Sequence, residues 1–167
     1  MIRVLALCCV MVLTPGCDKK ESEASKTGEA SNTGSAEGAA PPASFDVGTL
    51  GLTGDAPAGT KARSMGKKVM VQGTGLVASV GMAGRFDAAN IEAAEKEAKS
   101  NNGSNIKSEK LADGFLLTYE NKGGAGSNYW VVSRRTIDGK DYACGTTASN
   151  AAQQASASAF CKSLKKK

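Results

Sequence analysis

The chain has 167 residues, with 21 Lys and Arg against 16 Asp and Glu, a formal net charge of +5 and no histidine. That length accommodates one folded domain with accessory segments. The missing histidine excludes Ser-His-Asp and Cys-His catalysis and any His-ligated zinc or haem.

Arg3 supplies a positive start, and Val4–Leu13 is an uncharged apolar run broken by Thr14-Pro15-Gly16. Ten helical residues rise about 15 Å, half of what a bilayer core requires, so the run has the size of the hydrophobic region of an export signal. Residues 1–16 are expected to be a signal peptide. Leu13-Thr14-Pro15-Gly16-Cys17 resembles the lipobox of a bacterial prolipoprotein, with Thr14 where an aliphatic residue is preferred. The resemblance implies cleavage after Gly16 and acylation of Cys17, a lipid anchor that holds the protein to a membrane of the bacterial cell envelope, facing the periplasm or the cell surface. Several acyl chains at about 0.8 kcal/mol per buried methylene make such an anchor firm. On this reading Cys8 and Cys9 leave with the signal and Cys17 carries lipid. Cys144 and Cys161, exported together, are then expected to form a disulfide. The alternatives are a metal site, for which two thiols are too few ligands, and a redox pair, for which the spacing is far from Cys-x-x-Cys.

Residues 18–43 contain no apolar side chain larger than Ala and are dominated by Ser, Gly, Ala, Glu and Pro. Such a segment cannot bury enough surface to offset its chain entropy. Residues 17–47 are expected to be the lipidated cysteine followed by a flexible, disordered linker, with the folded domain over 48–167. Charge divides unevenly: residues 18–47 carry three basic and six acidic side chains, net −3, and residues 48–167 carry seventeen and ten, net +7.

Within the domain, Leu50-Gly51-Leu52 reads as a short strand ending at the Asp55–Gly59 turn. Lys68–Gln72 and Leu76–Met82 read as a hairpin joined at Gly73-Thr74-Gly75. A helix follows, with Asp87 as N-cap, Phe86 and Ile91 as a hydrophobic staple and Ile91, Ala94 and Ala98 on one face. Glu92/Lys96 and Glu95/Lys99 are i,i+4 pairs along it, and Asn101-Asn102-Gly103 ends it. Ile106–Leu111, Phe115–Glu120, Tyr129–Ile137 and Lys140–Cys144 form a meander with turns at Asp113-Gly114, Gly123–Gly126 and Asp138-Gly139. The last helix runs from about Asn150 to Leu164, with Asn150 and Gln153 as a capping pair and Ala157, Phe160, Cys161 and Leu164 as its apolar stripe. No β-α-β-α alternation occurs, so the expected class is α+β, an antiparallel sheet of about five to seven strands with two helices. This order of elements over 48–167 is similar to the PsbP/Mog1-type sandwich found in some bacterial lipoproteins. The likeness carries no motif and transfers no functional residue.

Several patterns suggest chemistry. Gly73-Thr-Gly75-Leu-Val-Ala78 spells G-x-G-x-x-A, but strand-like residues follow where a dinucleotide site needs a helix, so a hairpin turn is expected. Gly59–Lys67 lacks the spacing of a phosphate loop, and Lys68 stands where Ser or Thr should be. Asp55, Asp87, Asp113, Glu120, Asp138 and Asp141 all fall in turns or at strand ends. Ser64 with Lys67 or Lys68 is the remaining dyad candidate. Trp130, Arg134 and Arg135 are the candidate contact residues, together with the Lys165-Lys166-Lys167 tail, whose bland alternative is a frayed, solvated end. Strand alternation sends Arg134 and Arg135 to opposite faces.

No catalytic residue, metal or cofactor is assigned, and nucleic acid is disfavoured by export and by the scarcity of stacking aromatics. The expected function is that of a membrane-anchored envelope lipoprotein, a non-catalytic binding module for a protein or an anionic envelope component. An envelope hydrolase using carboxylates or Ser/Lys is the alternative.

Overall fold

The computed structural model describes residues 41–124 and 126–167. The expected signal peptide, Cys17 and most of the expected linker lie outside the described residues. The domain is α+β, as expected, with ten strands and two helices. β1 (Ala43–Asp46) is followed by a single 3-10 turn at Gly48–Leu50, then β2 (Leu52–Ala56), β3 (Lys61–Met65), β4 (Lys68–Gly73) and β5 (Leu76–Met82). Next come α1 (Ile91–Ser100), β6 (Ser104–Leu111), β7 (Gly114–Gly123), β8 (Gly126–Ile137), β9 (Lys140–Ala148), α2 (Ala151–Ser163) and β10 (Lys165–Lys166). Seven strands form one antiparallel sheet in the order β3-β4-β5-β9-β8-β7-β6, and β1-β2-β10 form a second, small sheet.

Strand pairing starts ahead of the boundary expected at residue 48. β1 pairs with β2 from Ala43↔Ala56 to Asp46↔Thr53, and Val47 is fully buried. Ala-Ser-Phe-Asp carries one large apolar side chain and so gives no periodic signal. β3 is a second difference, because all five of its residues are exposed and, as an edge strand, it has a ladder only to β4. The expected strand at Leu50–Leu52 instead begins at Leu52.

The large sheet is built as two hairpin sets, β3-β4-β5 and β6-β7-β8-β9, joined only where β5 meets β9. That seam runs from Ser79↔Gly145 to Met82↔Tyr142. One face of the sheet carries Val69, Val71, Ala78, Val80, Leu116, Val131 and Cys144 into the main core. α2 lies on this face, with Ala157, Phe160, Cys161 and Leu164 all buried. β2 packs closely on α2: a Cβ at Gly54 would come within 2.9 Å of the Phe160 ring. The opposite face is covered only in part. α1 sets Ala94 and Ala98 on Phe115, Leu117 and Tyr119, as the alternation of β7 predicts.

Both helices begin at an asparagine. Asn150 Oδ1 accepts from Gln153 N at 2.9 Å, and Gln153 Oε1 accepts from Ser149 N and Oγ, one residue earlier than the expected capping pair. For α1 the cap is Asn90, accepting from Ala93 N at 2.9 Å, and not Asp87. Asp87 Oδ2 accepts from Gly84 N at 2.7 Å and Asp87 N donates to Gly84 O, closing a turn in the loop before the helix. Phe86 is thereby 84% exposed and forms no staple. Glu95 accepts from Ser108 Oγ on β6.

Cys144 on β9 and Cys161 on α2 are joined by a disulfide, Cα–Cα 5.7 Å. It ties the last helix to the seam strand beside Val80. Replacing both cysteines by alanine should cost about 3 kcal/mol, the chain-entropy value for a loop of this length. The expected readout is a lower denaturation midpoint for the variant, matched in the native protein by adding reductant, which leaves the variant unchanged.

Candidate binding groove

The uncovered half of the α1 face forms an open groove of about 300 Å³ between the loop 83–90, α1 and strands β5, β9 and β8. Its floor is made of small residues, Ser79, Ala143 and Gly145, opposed across the β5–β9–β8 ladders. Gly145 has no room for a side chain, since a Cβ would lie 2.5 Å from the Val131 carbonyl oxygen. Its walls carry Trp130 and Phe86, with Lys68 and Arg134 as cations and Asp87 and Glu97 as carboxylates.

Trp130 is fixed from three directions. Its ring stacks on Tyr119 of the neighbouring strand, centroids 5.6 Å apart and planes 1° from parallel. Such a pair contributes about 0.5–1.5 kcal/mol beyond area burial. Its Nε1–H donates to Asn121 Oδ1 at 2.9 Å. From the far side of the sheet, Gln154 Nε2 of α2 donates to the carbonyls of Trp130 and Tyr119. Burial pushes the Tyr119 hydroxyl above its ordinary value, and the Glu97 carboxylate adds to this, while the hydrogen bond with Asn101 opposes it. Asn121 and Gln154 carry no motif, and only the register brings them to the stack.

Arg134 and Arg135 divide between the faces as alternation requires. Arg134 Nη2 meets Asp141 Oδ2 at 2.7 Å on the groove side. Asp141 is held below its ordinary 3.8 first by the Thr136 hydroxyl at 2.6 Å and then by Arg134. Arg135, also on the expected binding surface, has its guanidinium engaged within the domain. It grips Asp113 through Nε and Nη2, both at 2.7 Å, and donates Nη1 to the Cys161 carbonyl at 3.1 Å and to that of Lys162. The guanidinium thus satisfies carbonyls that the end of α2 leaves without helical partners.

The lysine tail is paired into the fold. Lys165 and Lys166 pair with Thr53 and Leu52 as β10, and Lys167 N donates to Gly51 O at 3.0 Å. Lys166 Nζ meets Asp138 at 2.6 Å, and Lys167 Nζ pairs with Asp46. The tail is thus paired as a strand, with Lys166 and Lys167 in exposed ion pairs.

Ser64 opposes Val69 on the core-facing side of the β3–β4 ladder, and Lys68 opposes Met65 on the other, so Ser64 and Lys68 point to opposite faces. Gly73 ends β4 opposite Leu76 and Gly75 lies in the two-residue β4–β5 hairpin turn, as expected from the failed dinucleotide pattern. A second hollow, about 450 Å³, lies between α2 and β6. It has no aromatic wall, and the Lys162–Glu109 ion pair at 3.2 Å crosses between its two sides. No protein-family model matches the chain, and no curated protein matches it either.

Arg135→Ala should destabilise by about 2–4 kcal/mol, because it strands Asp113 and the α2 carbonyls in a partly buried site. Arg134→Ala, with a more exposed partner, should cost less than about 1 kcal/mol. Chemical denaturation of both variants checks the order. Deleting residues 165–167 should lower the melting temperature at neutral pH. Asp46 and Asp138 are both depressed, chiefly by hydrogen bonds from Lys167 and Lys166. Their contribution is present above the ordinary carboxylate value and is lost as pH falls through the depressed one. The gap between the native and truncated proteins should therefore narrow on acidification below about pH 4.

Proposed function

We propose that this chain is a membrane-anchored lipoprotein of a bacterial envelope, held by acylated Cys17, and that its domain is a non-catalytic binding module for a protein or an anionic envelope component. The observation that carries the binding reading is the groove: an open floor of small residues with Trp130, Phe86, Lys68 and Arg134 around it. Aromatic and Arg side chains are the types favoured at contact sites. The positive balance of residues 48–167 favours an anionic ligand over a cationic one. The disulfide fits an oxidising compartment. Hydrolysis is the second reading, favoured by the two carboxylates, Asp87 and Glu97, that border the same groove. Against it, Asp87 is already engaged by Gly84 N.

Intact mass of the protein from membrane and soluble fractions of its native host tests the anchor. A chain starting at Cys17 with a lipid-sized gain is expected, and Cys17→Ser should move the protein to the soluble fraction. A soluble, unlipidated chain overturns the anchor. The groove is tested by its own reporter, since Trp130 is the sole tryptophan. Its emission should shift when an acidic wall polymer or lipopolysaccharide is titrated in, and Lys68→Glu should weaken the response. Substrate turnover that is lost in Glu97→Gln would instead establish the hydrolase.

A further inference from the structure

Among the described residues, the large apolar side chains that stand exposed are Met65 at 55%, Met82 at 49% and Phe86 at 84%. Scattered singly, such residues would need no explanation. The register shows that they are not scattered. Met65 ends β3 opposite Lys68, Lys68 lies opposite Gly81, and Met82 ends β5 opposite Tyr142. The chain then turns into the loop bearing Arg85 and Phe86, held at this end by Ala83 N donating to Asp141 O at 2.8 Å. All three therefore occupy one end of the large sheet.

The same end is positively charged. Lys67 sits in the β3–β4 turn and Lys68 starts β4, Arg85 precedes Phe86, and Lys140 starts β9 after the Asp138-Gly139 turn. Three of the carboxylates found here are neutralised, Asp113 by Arg135, Asp138 by Lys166 and Asp141 by Arg134, while Asp87, beside Phe86, is in no ion pair and accepts from Gly84 N. Lys67, Lys68, Arg85 and Lys140 belong to none of the ion pairs among the described residues. The Arg85 guanidinium lies 4.6 Å from the Phe86 ring centroid, so the loop ends in a joined cationic and aromatic tip.

We infer that this end of the sheet rests on an anionic bilayer surface, with Met65, Met82 and Phe86 entering the headgroup region and Lys67, Lys68, Arg85 and Lys140 meeting lipid phosphates. Apolar prongs ringed by unpaired cations match the two attractions that hold peripheral proteins to anionic membranes. Four cations without an ion-pair partner beside three exposed apolar side chains fit a surface that offers both dense phosphate charge and an apolar layer beneath it. The inference goes beyond the groove reading and rests only on its placement of the protein beside a membrane.

The test places an indole at the contact. In the full chain with Trp130→Phe, single variants Phe86→Trp and Met65→Trp are mixed with vesicles of phosphatidylglycerol and phosphatidylcholine in equal parts, or of phosphatidylcholine alone. The N-terminal segment is common to all samples, so the readout is local: blue shift, and quenching by lipids brominated on the acyl chain. Both positions should shift and be quenched on the anionic vesicles. The effect should be lost at high salt and in Lys67→Gln/Arg85→Gln/Lys140→Gln. No quenching at either position, or equal quenching on neutral vesicles, overturns the inference. Quenching of Trp130 in the unmodified chain on the same vesicles, with none at either tip in the variants, also overturns it and leaves the groove reading standing. Both introduced indoles replace exposed residues, so the fold does not depend on them.

Discussion

The seam between β5 and β9 is the constraint on which the rest of the domain depends. It joins residues 79–82 to residues 142–145, far apart in sequence, through four opposed pairs. Everything on the β3 side of the sheet is attached to the β6–β9 meander through it. A short non-local ladder of this kind closes a long loop and gains little until other contacts form. Helix α2 supplies those contacts. Its stripe lies across the seam, its Cys161 bonds Cys144 beside Val80, and Arg135 seizes its final carbonyls. β10 then continues from α2 to pair with β2, which brings the small sheet into the same core. The basic end of the chain is thus part of the closure of the fold.

The two faces of the large sheet have been put to different uses. One is buried by α2 and the small sheet along most of its width. The other is covered by α1 only over β6 and β7. A sheet face left open would be expected to expose apolar side chains, but β5 and β9 place Ser79, Ala143 and Gly145 there instead. Small residues lower the cost of leaving the face in water and leave a hollow in place of a bulge. The aromatic stack at one side and the Phe86 loop at the other give that hollow walls. The groove therefore sits on the part of the fold that contributes least to its core.

The differences between sequence reading and structure have a common physical origin. Asp87 and Asn90 are both good caps, and local pattern favours Asp87 with its Phe86 and Ile91 neighbours. The loop leaves β5 pinned to β9, and that geometry turns Asp87 back to Gly84 and passes the cap to Asn90. β3 has no alternation to read because both of its faces are exposed, and its lysine and arginine suit an edge strand that must not recruit another chain. Arg135 and Trp130 look alike as surface candidates in sequence. Their partners, Asp113 and the α2 carbonyls for one, Tyr119 and Asn121 for the other, are assembled only by the register of β7, β8 and α2.

What the sequence by itself determined was the periodic and the punctuated. The stripe of α2, the hairpin turns, the alternation of β7 and β8, the α+β class and the inward aim of Cys161 all follow from spacing that is local to each element. Tertiary structure alone decided which elements meet: the strand order with β5 beside β9, the pairing of β10 with β2, the half of the sheet left uncovered and the gathering of Met65, Met82 and Phe86 at one end. Those outcomes depend on contacts between residues distant in the chain. Their energies arise only when both partners are in place, so no window of sequence contains them.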